Sequence, residues 1–261
     1  MTRFILKTFF FVLAGLILGY FLFLKLTEIK NPYITTLKDS LKRNSSTEIL
    51  NLGSSVDLHS DSLDIDQSTI SSRIQNKTSM IVTPISRGAN NNRLHEMFVE
   101  VISKENNNTH LKYIIIPINL RSYSPEWNLR PQYKFKNLSI YFDWKKLFIN
   151  DENKNSIYNY NVKFEGNYYN LKNQKNSLKN DFIYKYLYGF NDENLTLASL
   201  KNIVKTKLII KKIFYITPID VNTGNRLVKD FSFYLNKNID TIKSVLKNEI
   251  YLDLSHQLGS K

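Results

Sequence analysis

The apolar positions fall into short continuous runs, separated by stretches with helical spacing. "EILNLGSSV" (48–56) reads as a buried strand that breaks at Gly53 and puts Ser54 and Ser55 at its tip. "DSLDIDQSTISSRIQ" (61–75) opens on acidic residues and then spaces Ile70 and Ile74 four apart, which predicts a helix. "SMIVTPISRGAN" (79–90) predicts a second strand and a glycine turn. In "NNRLHEMFVEVISKEN" (91–106), Leu94, Met97, Phe98, Val101 and Ile102 share one face of an amphipathic helix. His95 on that helix stands beside Arg93 and Glu96, which suggests an exposed position. "HLKYIIIPINLRSYSPEW" (110–127) holds a third strand, apolar through Ile116. "KLIIKKIFYITPIDVNTGNRL" (207–227) predicts a fourth strand and a turn. "SFYLNKNIDTIKSVLKN" (232–248) predicts a helix with Ile239, Ile242 and Leu246 on one face.

Continuous rather than alternating apolar strands suit a parallel sheet covered on both faces. Strand and helix in alternation predict an α/β fold, a three-layer sandwich around a mainly parallel sheet. Residues 125–205 break the alternation with Asn, Lys and Tyr, and read as an insertion or cap over the sheet edge. The expected organisation is an N-terminal transmembrane helix over 1–30, a polar connector over 31–47 with a short helix after Pro32, and one domain over 48–261.

The N-terminal segment carries Arg3 and Lys7 and then an uncharged run from Thr8 to Leu24. Counted from Phe4, with Lys7 snorkelling, it is just long enough to span a bilayer. No small-x-small cleavage site follows it, so a retained signal anchor is expected rather than a cleaved leader. The positive amino-terminal flank orients it N-in, with the main domain outside the cytoplasm.

Composition removes several chemistries. There is no cysteine, so thiol nucleophiles, disulfides and thiolate metal sites are excluded. The four histidines are scattered without ligand spacing, and no catalytic metal is expected. The net charge of +13 comes mostly from lysines dispersed among asparagines, as in "YYNLKNQKNSLKN". That pattern is a solvated surface, not the gathered Arg/Lys face of a nucleic-acid module. Attraction to anionic lipid or to an anionic surface polymer stays open.

Ligands in open α/β sheets bind beyond the carboxyl ends of the strands. Four segments lie there: Gly53-Ser54-Ser55, Ser86 to Asn90, Pro117-Ile118-Asn119 and Asp253-Leu254-Ser255-His256. Each has a plain structural reading, as a turn, a bend, a cap or a surface histidine. Together they supply a hydroxyl nucleophile, a histidine to take its proton, a carboxylate to orient that histidine, and amide donors for an oxyanion. Arg87 and Arg121 flank the same region and either bind an anionic substrate group or form surface ion pairs. Tyr123 and Trp127 either stack on sugar rings or anchor the following segment by packing.

The order of these blocks resembles the SGNH hydrolase and acyltransferase superfamily. Gly53-Ser54-Ser55 matches its first block, Gly88 its second, Asn119 its third and "DLSH" its last. The resemblance implies an SGNH or flavodoxin-like fold in which Ser55 is the nucleophile, His256 the base and Asp253 its orienting acid. Ser55, Gly88 and Asn119 would then hold the oxyanion, with no cofactor. Among its branches, the chain looks most similar to membrane-anchored bacterial proteins of D-alanine transfer and alginate-type O-acetylation. That similarity implies a single-pass protein of the bacterial inner membrane that works on a cell-surface glycopolymer. An acyl donor and a membrane-bound acyltransferase partner are implied with it. Two places depart from the pattern. Pro117 stands where a glycine is usual, and only "QLGSK" follows His256, where a further helix is usual. The second departure keeps open an inactive or truncated relative that serves in polysaccharide binding or envelope assembly.

Overall fold

The computed structural model describes residues 2–30, 32–43, 46–53, 68–86, 90–105, 110–124, 177–190 and 194–257. Helices α1 (Thr2–Lys30) and α2 (Pro32–Arg43) precede strand β1 (Ile49–Asn51). Then follow α3 (Ile70–Thr78), β2 (Val82–Pro84), α4 (Asn92–Glu105), β3 (Tyr113–Ile118) and a 3-10 turn, Leu120–Tyr123. The chain continues through α5 (Ser177–Tyr186), α6 (Leu195–Lys205), β4 (Lys211–Ile216), α7 (Val221–Leu227), α8 (Phe231–Val245) and β5 (Ile250–Asp253).

All five strands are parallel, in the order β2-β1-β3-β4-β5. The chain moves one way from β1 to β2, and the other way from β2 through β5. Right-handed crossovers then require α3 on one face and the later crossover helices on the other. The packing obeys this rule. Ile74 of α3 packs with Ile49, Val82 and Ile115. Residues of α2, α4, α6 and α8 pack with Leu50, Ile114, Ile116 and Phe214 on the opposite face. The result is an α/β sandwich with its strand order reversing between β1 and β3, the position where such sheets open a crevice.

Local signals explain several element ends. The Thr69 hydroxyl accepts from Ser72 N and caps α3, in place of the acidic residues expected to do so. Ser79 ends that helix in the left-handed region at φ 56, donating its N–H to Gln75 O. Asn194 caps α6 and Asp220 caps α7. The α7–α8 corner needs Gly224, where a Cβ would stand 2.3 Å from the buried Phe231 ring.

Three regions differ from the sequence expectations. The connector contributes α2, whose Ile34 and Leu37 are fully buried in the main core. These positions and Leu41 recur with helical spacing, so a polar composition still carries an apolar stripe. The expected insertion over 125–205 ends in α5 and α6, which bury Ile183, Leu200 and Ile203 in the same core. The C-terminal "IYLD" forms a fifth strand, beyond the four that the sequence pattern predicts. Helix α1 carries exposed apolar side chains around its circumference, from Leu13 at 41% to Phe11 at 80%. Its described side chains are those of 6–22, and among the described residues no helix is long and apolar enough to cross a membrane.

Candidate functional site at the strand-order reversal

Short polar side chains tie the ends of β1, β2 and β3 together. Ile85 N donates to Asn51 O at 2.8 Å, and Leu52 N donates to Ile115 O at 2.9 Å. Beyond these last ladder bonds the backbone needs side-chain partners, and three consecutive asparagines supply them. Asn90 Nδ2 donates to Gly53 O at 2.8 Å and to Ile85 O at 3.3 Å. Asn91 Oδ1 accepts from Arg93 N and Leu94 N at the start of α4. Asn92 Nδ2 donates to Pro117 O at 3.3 Å, while its Oδ1 accepts from the Tyr123 hydroxyl at 2.7 Å. The segment therefore bridges from the tip of β1 to the end of β3.

The chain after β3 is fixed as firmly. Asn119 Oδ1 accepts from Arg121 N at 3.1 Å, capping the 3-10 turn. Its Nδ2 is then the half of the amide left to donate. The Tyr188 hydroxyl bonds Leu120 O, and Asn194 Nδ2 bonds Tyr123 O at 2.9 Å. Thr196 Oγ1 donates to Ser122 O at 3.2 Å, so the start of α6 clamps the turn. Tyr123 is fully buried, edge-on to Phe190, and burial pushes its phenol well above the usual value. It is a packing anchor, the second of the two readings given to it.

Ser55, Arg87 and Gly88 lie outside the described residues, as does Trp127. Gly53 and Asn90, each two positions from Ser55 and Gly88 respectively, are joined directly. Asn119 stands at the end of β3, half-buried, with Arg121 following it in the turn.

Asp253 and His256 stand apart from this cluster. Strand β5 is three strand spacings from β1, about 14 Å. Asp253 Oδ2 pairs with Lys243 Nζ at 2.7 Å, and Oδ1 accepts from Ser255 N at 3.0 Å and from the Ser255 hydroxyl. Burial works to raise the Asp253 carboxyl, but the Lys243 and Ser255 bonds outweigh it and hold the group below its ordinary value. His256 is exposed, and its Nε2 meets Asn236 Oδ1 at 3.0 Å. The acid and the imidazole thus bond other partners and not each other. Asn236 also lines an open groove on α8, with Phe233, Lys237 and Asp240.

The flanking Arg93 and Glu96 suggest an exposed His95, and the structure corrects this. His95 is 1% exposed, not on the surface, and burial pushes its imidazole down to about 3, so the ring is neutral. Its position was legible. His95, Phe98 and Ile102 follow one another at helical spacing along the core face, and α4 is covered by the sheet, α6 and α2. Asn90 was seen only as the end of the Ser86 to Asn90 segment, and Asn91 and Asn92 were missed because asparagine is so frequent elsewhere in this sequence.

Among the described residues, these buried polar atoms have no hydrogen-bond partner: Asn51 Oδ1, Ser86 Oγ, Asn90 Oδ1, Asn91 Nδ2, His95 Nε2 and Ser124 Oγ. All belong to residues at or just beyond the carboxyl ends of β1, β2 and β3. Each orphan costs on the order of 1–3 kcal/mol unless water or a ligand satisfies it, so this end of the sheet is where a polar ligand would find free partners. Among the described residues no group of His, Asp and Glu could hold a metal ion. No protein-family model, curated protein or solved structure matches the chain.

Proposed function

We propose that the chain is a membrane-anchored serine acyl-ester hydrolase or O-acyltransferase of SGNH type, acting outside the cytoplasm on a cell-surface glycopolymer. The observation that carries this reading is the 2.8 Å bond from Asn90 Nδ2 to Gly53 O. It ties the segment leading to Ser55 to the segment leaving Gly88 at the strand-order reversal, where a nucleophile and its oxyanion donors must meet.

In the proposed reaction, the Ser55 hydroxyl attacks the acyl carbonyl carbon and its proton passes to the His256 imidazole. The Ser55 and Gly88 N–H groups and Asn119 Nδ2 hold the resulting oxyanion. Collapse expels the donor alcohol, which takes the proton back and leaves a seryl ester. Water or a polymer hydroxyl then attacks that ester, giving hydrolysis or transfer. Asn119 suits its role because Arg121 N occupies its Oδ1.

The anchor is proposed from the uncharged run Thr8 to Leu24 and from the exposed apolar circumference of α1, which lipid would cover. The donor and the membrane-bound acyltransferase partner are proposed with it, from the family resemblance.

A serine-reactive fluorophosphonate tests the assignment on the full chain in detergent. Labelling is expected in the parent and absent in Ser55→Ala; labelling that survives this change removes Ser55 as nucleophile. A second reading is favoured by the bonds of Asp253 to Lys243 and of His256 to Asn236. In it the fold is kept without a working base, for polymer binding or envelope assembly. An intact parent that does not react, while binding the polymer, supports that reading.

A further inference from the structure

Strand β5 closes one side of the sheet, and its outer edge has the free groups that a further strand would need. Leu254 N donates to Ile216 O at 3.1 Å, on the β4 side. Backbone groups alternate in direction along a strand, so Ile250 and Leu252 also turn theirs toward β4. Tyr251 and Asp253 turn their N–H and C=O to the free edge, where no partner meets them among the described residues. Natural edges are blunted by lysine, proline or a bulge. Ile250–Asp253 contains neither residue, and its register with β4 runs without a bulge.

The two faces of β5 carry different chemistry. Ile250 and Leu252 stand beside Ile213 and Tyr215 on the α3 face of the sheet, and are 54% and 56% exposed. Tyr251 and Asp253 stand beside Phe214 and Ile216 on the face that α8 covers. There Lys243 Nζ of α8 pairs with Asp253 Oδ2 at 2.7 Å. Asp253 chiefly, with Tyr251 adding to it, holds the Lys243 ammonium above its ordinary value, so Lys243 lies within electrostatic reach of both.

Two antiparallel copies of this edge complement each other in one register. Tyr251 must meet an outward-turned residue of the second copy, Tyr251 or Asp253. Tyr251 on Tyr251 would set Glu249 opposite Asp253, a like-charge pair, and Glu249 N is already bonded to Leu246 O at 2.8 Å. Tyr251 on the partner's Asp253 avoids both faults and uses every outward N–H and C=O of the two residues. Leu252 then meets the partner's Leu252, and Ile250 the partner's Leu254. Each Asp253 carboxylate also comes beside the partner's Tyr251 and so toward the partner's Lys243, which gives it a second cation.

We propose that β5 is a homodimer interface, joining two five-stranded sheets edge to edge about a two-fold axis at Leu252. The pairing needs neither Ser55 nor His256, so it stands or falls apart from the serine-ester reading.

The chain contains no cysteine, so single cysteines report on the pairing. In this register two Leu252 Cα atoms stand about 4.5 Å apart, within disulfide reach. Two Tyr251 residues stand about 8 Å apart and two Ile250 residues about 14 Å, both beyond it. Mild oxidation of the full chain in detergent is expected to cross-link Leu252→Cys and to leave Tyr251→Cys and Ile250→Cys as single chains. Sedimentation, corrected for bound detergent, is expected to give two chains for the parent and one for Leu252→Lys, which sets two ammonium groups on the axis. Leu252 is more than half exposed, so the lysine variant is expected to keep its fold, as circular dichroism checks. A parent that sediments as one chain overturns the proposal and leaves the edge to a strand of another protein. A folded Leu252→Lys that stays two chains also overturns it and places association elsewhere, as on α1. Cross-linking that is absent at Leu252, or equal at all three positions, overturns it as well.

Discussion

The two halves of the sheet are built differently. Around β2, β1 and β3, the strand ends are cross-linked by asparagine and tyrosine side chains, and the core residues Leu50, Ile114 and Ile116 are fully buried. At the other margin, β5 leaves Ile250 and Leu252 more than half exposed and pairs on one side only, with β4. The first half spends its polar groups on holding loops in place and, among the described residues, leaves buried ones unpaired. The second holds its polar groups in ordinary ion pairs and hydrogen bonds. Unmet polar capacity therefore separates the candidate site from mere structure better than motif order does. Motif order alone put equal weight on Asp253 and His256.

The sharpest way to break this contrast is to remove a buried polar lock of the β4–β5 half. Lys212 Nζ donates to Ile203 O, Val204 O and Thr206 O at the end of α6, and pairs with Glu249 at 3.2 Å. Lys212→Ala leaves those groups buried without a cation, and unfolding by urea should show a loss of about 3–5 kcal/mol. Labelling at Ser55 in protein that remains folded should be unaffected.

The next effect belongs to the site half and appears with pH. Unfolded histidine takes its proton near 6.5, whereas the buried His95 takes it only near 3. As pH falls, the unfolded state gains the proton first, so the contribution is full above about 6.5 and declines toward 3. From pH 7 to pH 5 the parent should lose ~2 kcal/mol through this group. Denaturation curves of His95→Leu at the two values should lack that component; an identical pH slope in both proteins would show that His95 is not buried neutral.

Asn90→Ala comes third, with an expected cost of about 1–2 kcal/mol for Gly53 O left unbonded. Its diagnostic is labelling: Ser55 should react more slowly even where the variant is fully folded, because the two strand tips are no longer tied. The smallest effect is Lys243→Ala, which breaks the partly exposed pair with Asp253 and should change stability by less than about 1 kcal/mol. If His256 is the base, freeing Asp253 to orient it should raise the labelling rate. A rate left unchanged would place the base elsewhere.

Much of the fold was legible because parallel strands buried on both faces announce themselves, as "YIIIPI" does in β3. The stripe Leu94, Met97, Phe98, Val101 and Ile102 was equally plain, and all five are buried. Strand β5 was not legible because Ile250-Tyr251-Leu252 is an apolar run of only three residues between Glu249 and Asp253, too short to tell a strand from a turn of helix. Helix α2 was expected after Pro32, but its place in the core was hidden by lysines and threonines surrounding a three-residue stripe. At the site, Asn119 could be found as an asparagine ending a strand. The Asn90–His95 segment could not be found so easily. Its importance comes from contacts with Gly53 and Pro117, which are distant in sequence and meet only through the crossover.

Helix α1 ends at Lys30 and α2 begins at Pro32, with Ile34 and Leu37 already locked into the core. A single residue separates the two helices in sequence. Helix α2 rests on α4, the helix whose first turn holds Asn92 and His95. A force that displaced α2 would therefore be felt at that turn through the packing of α2 on α4.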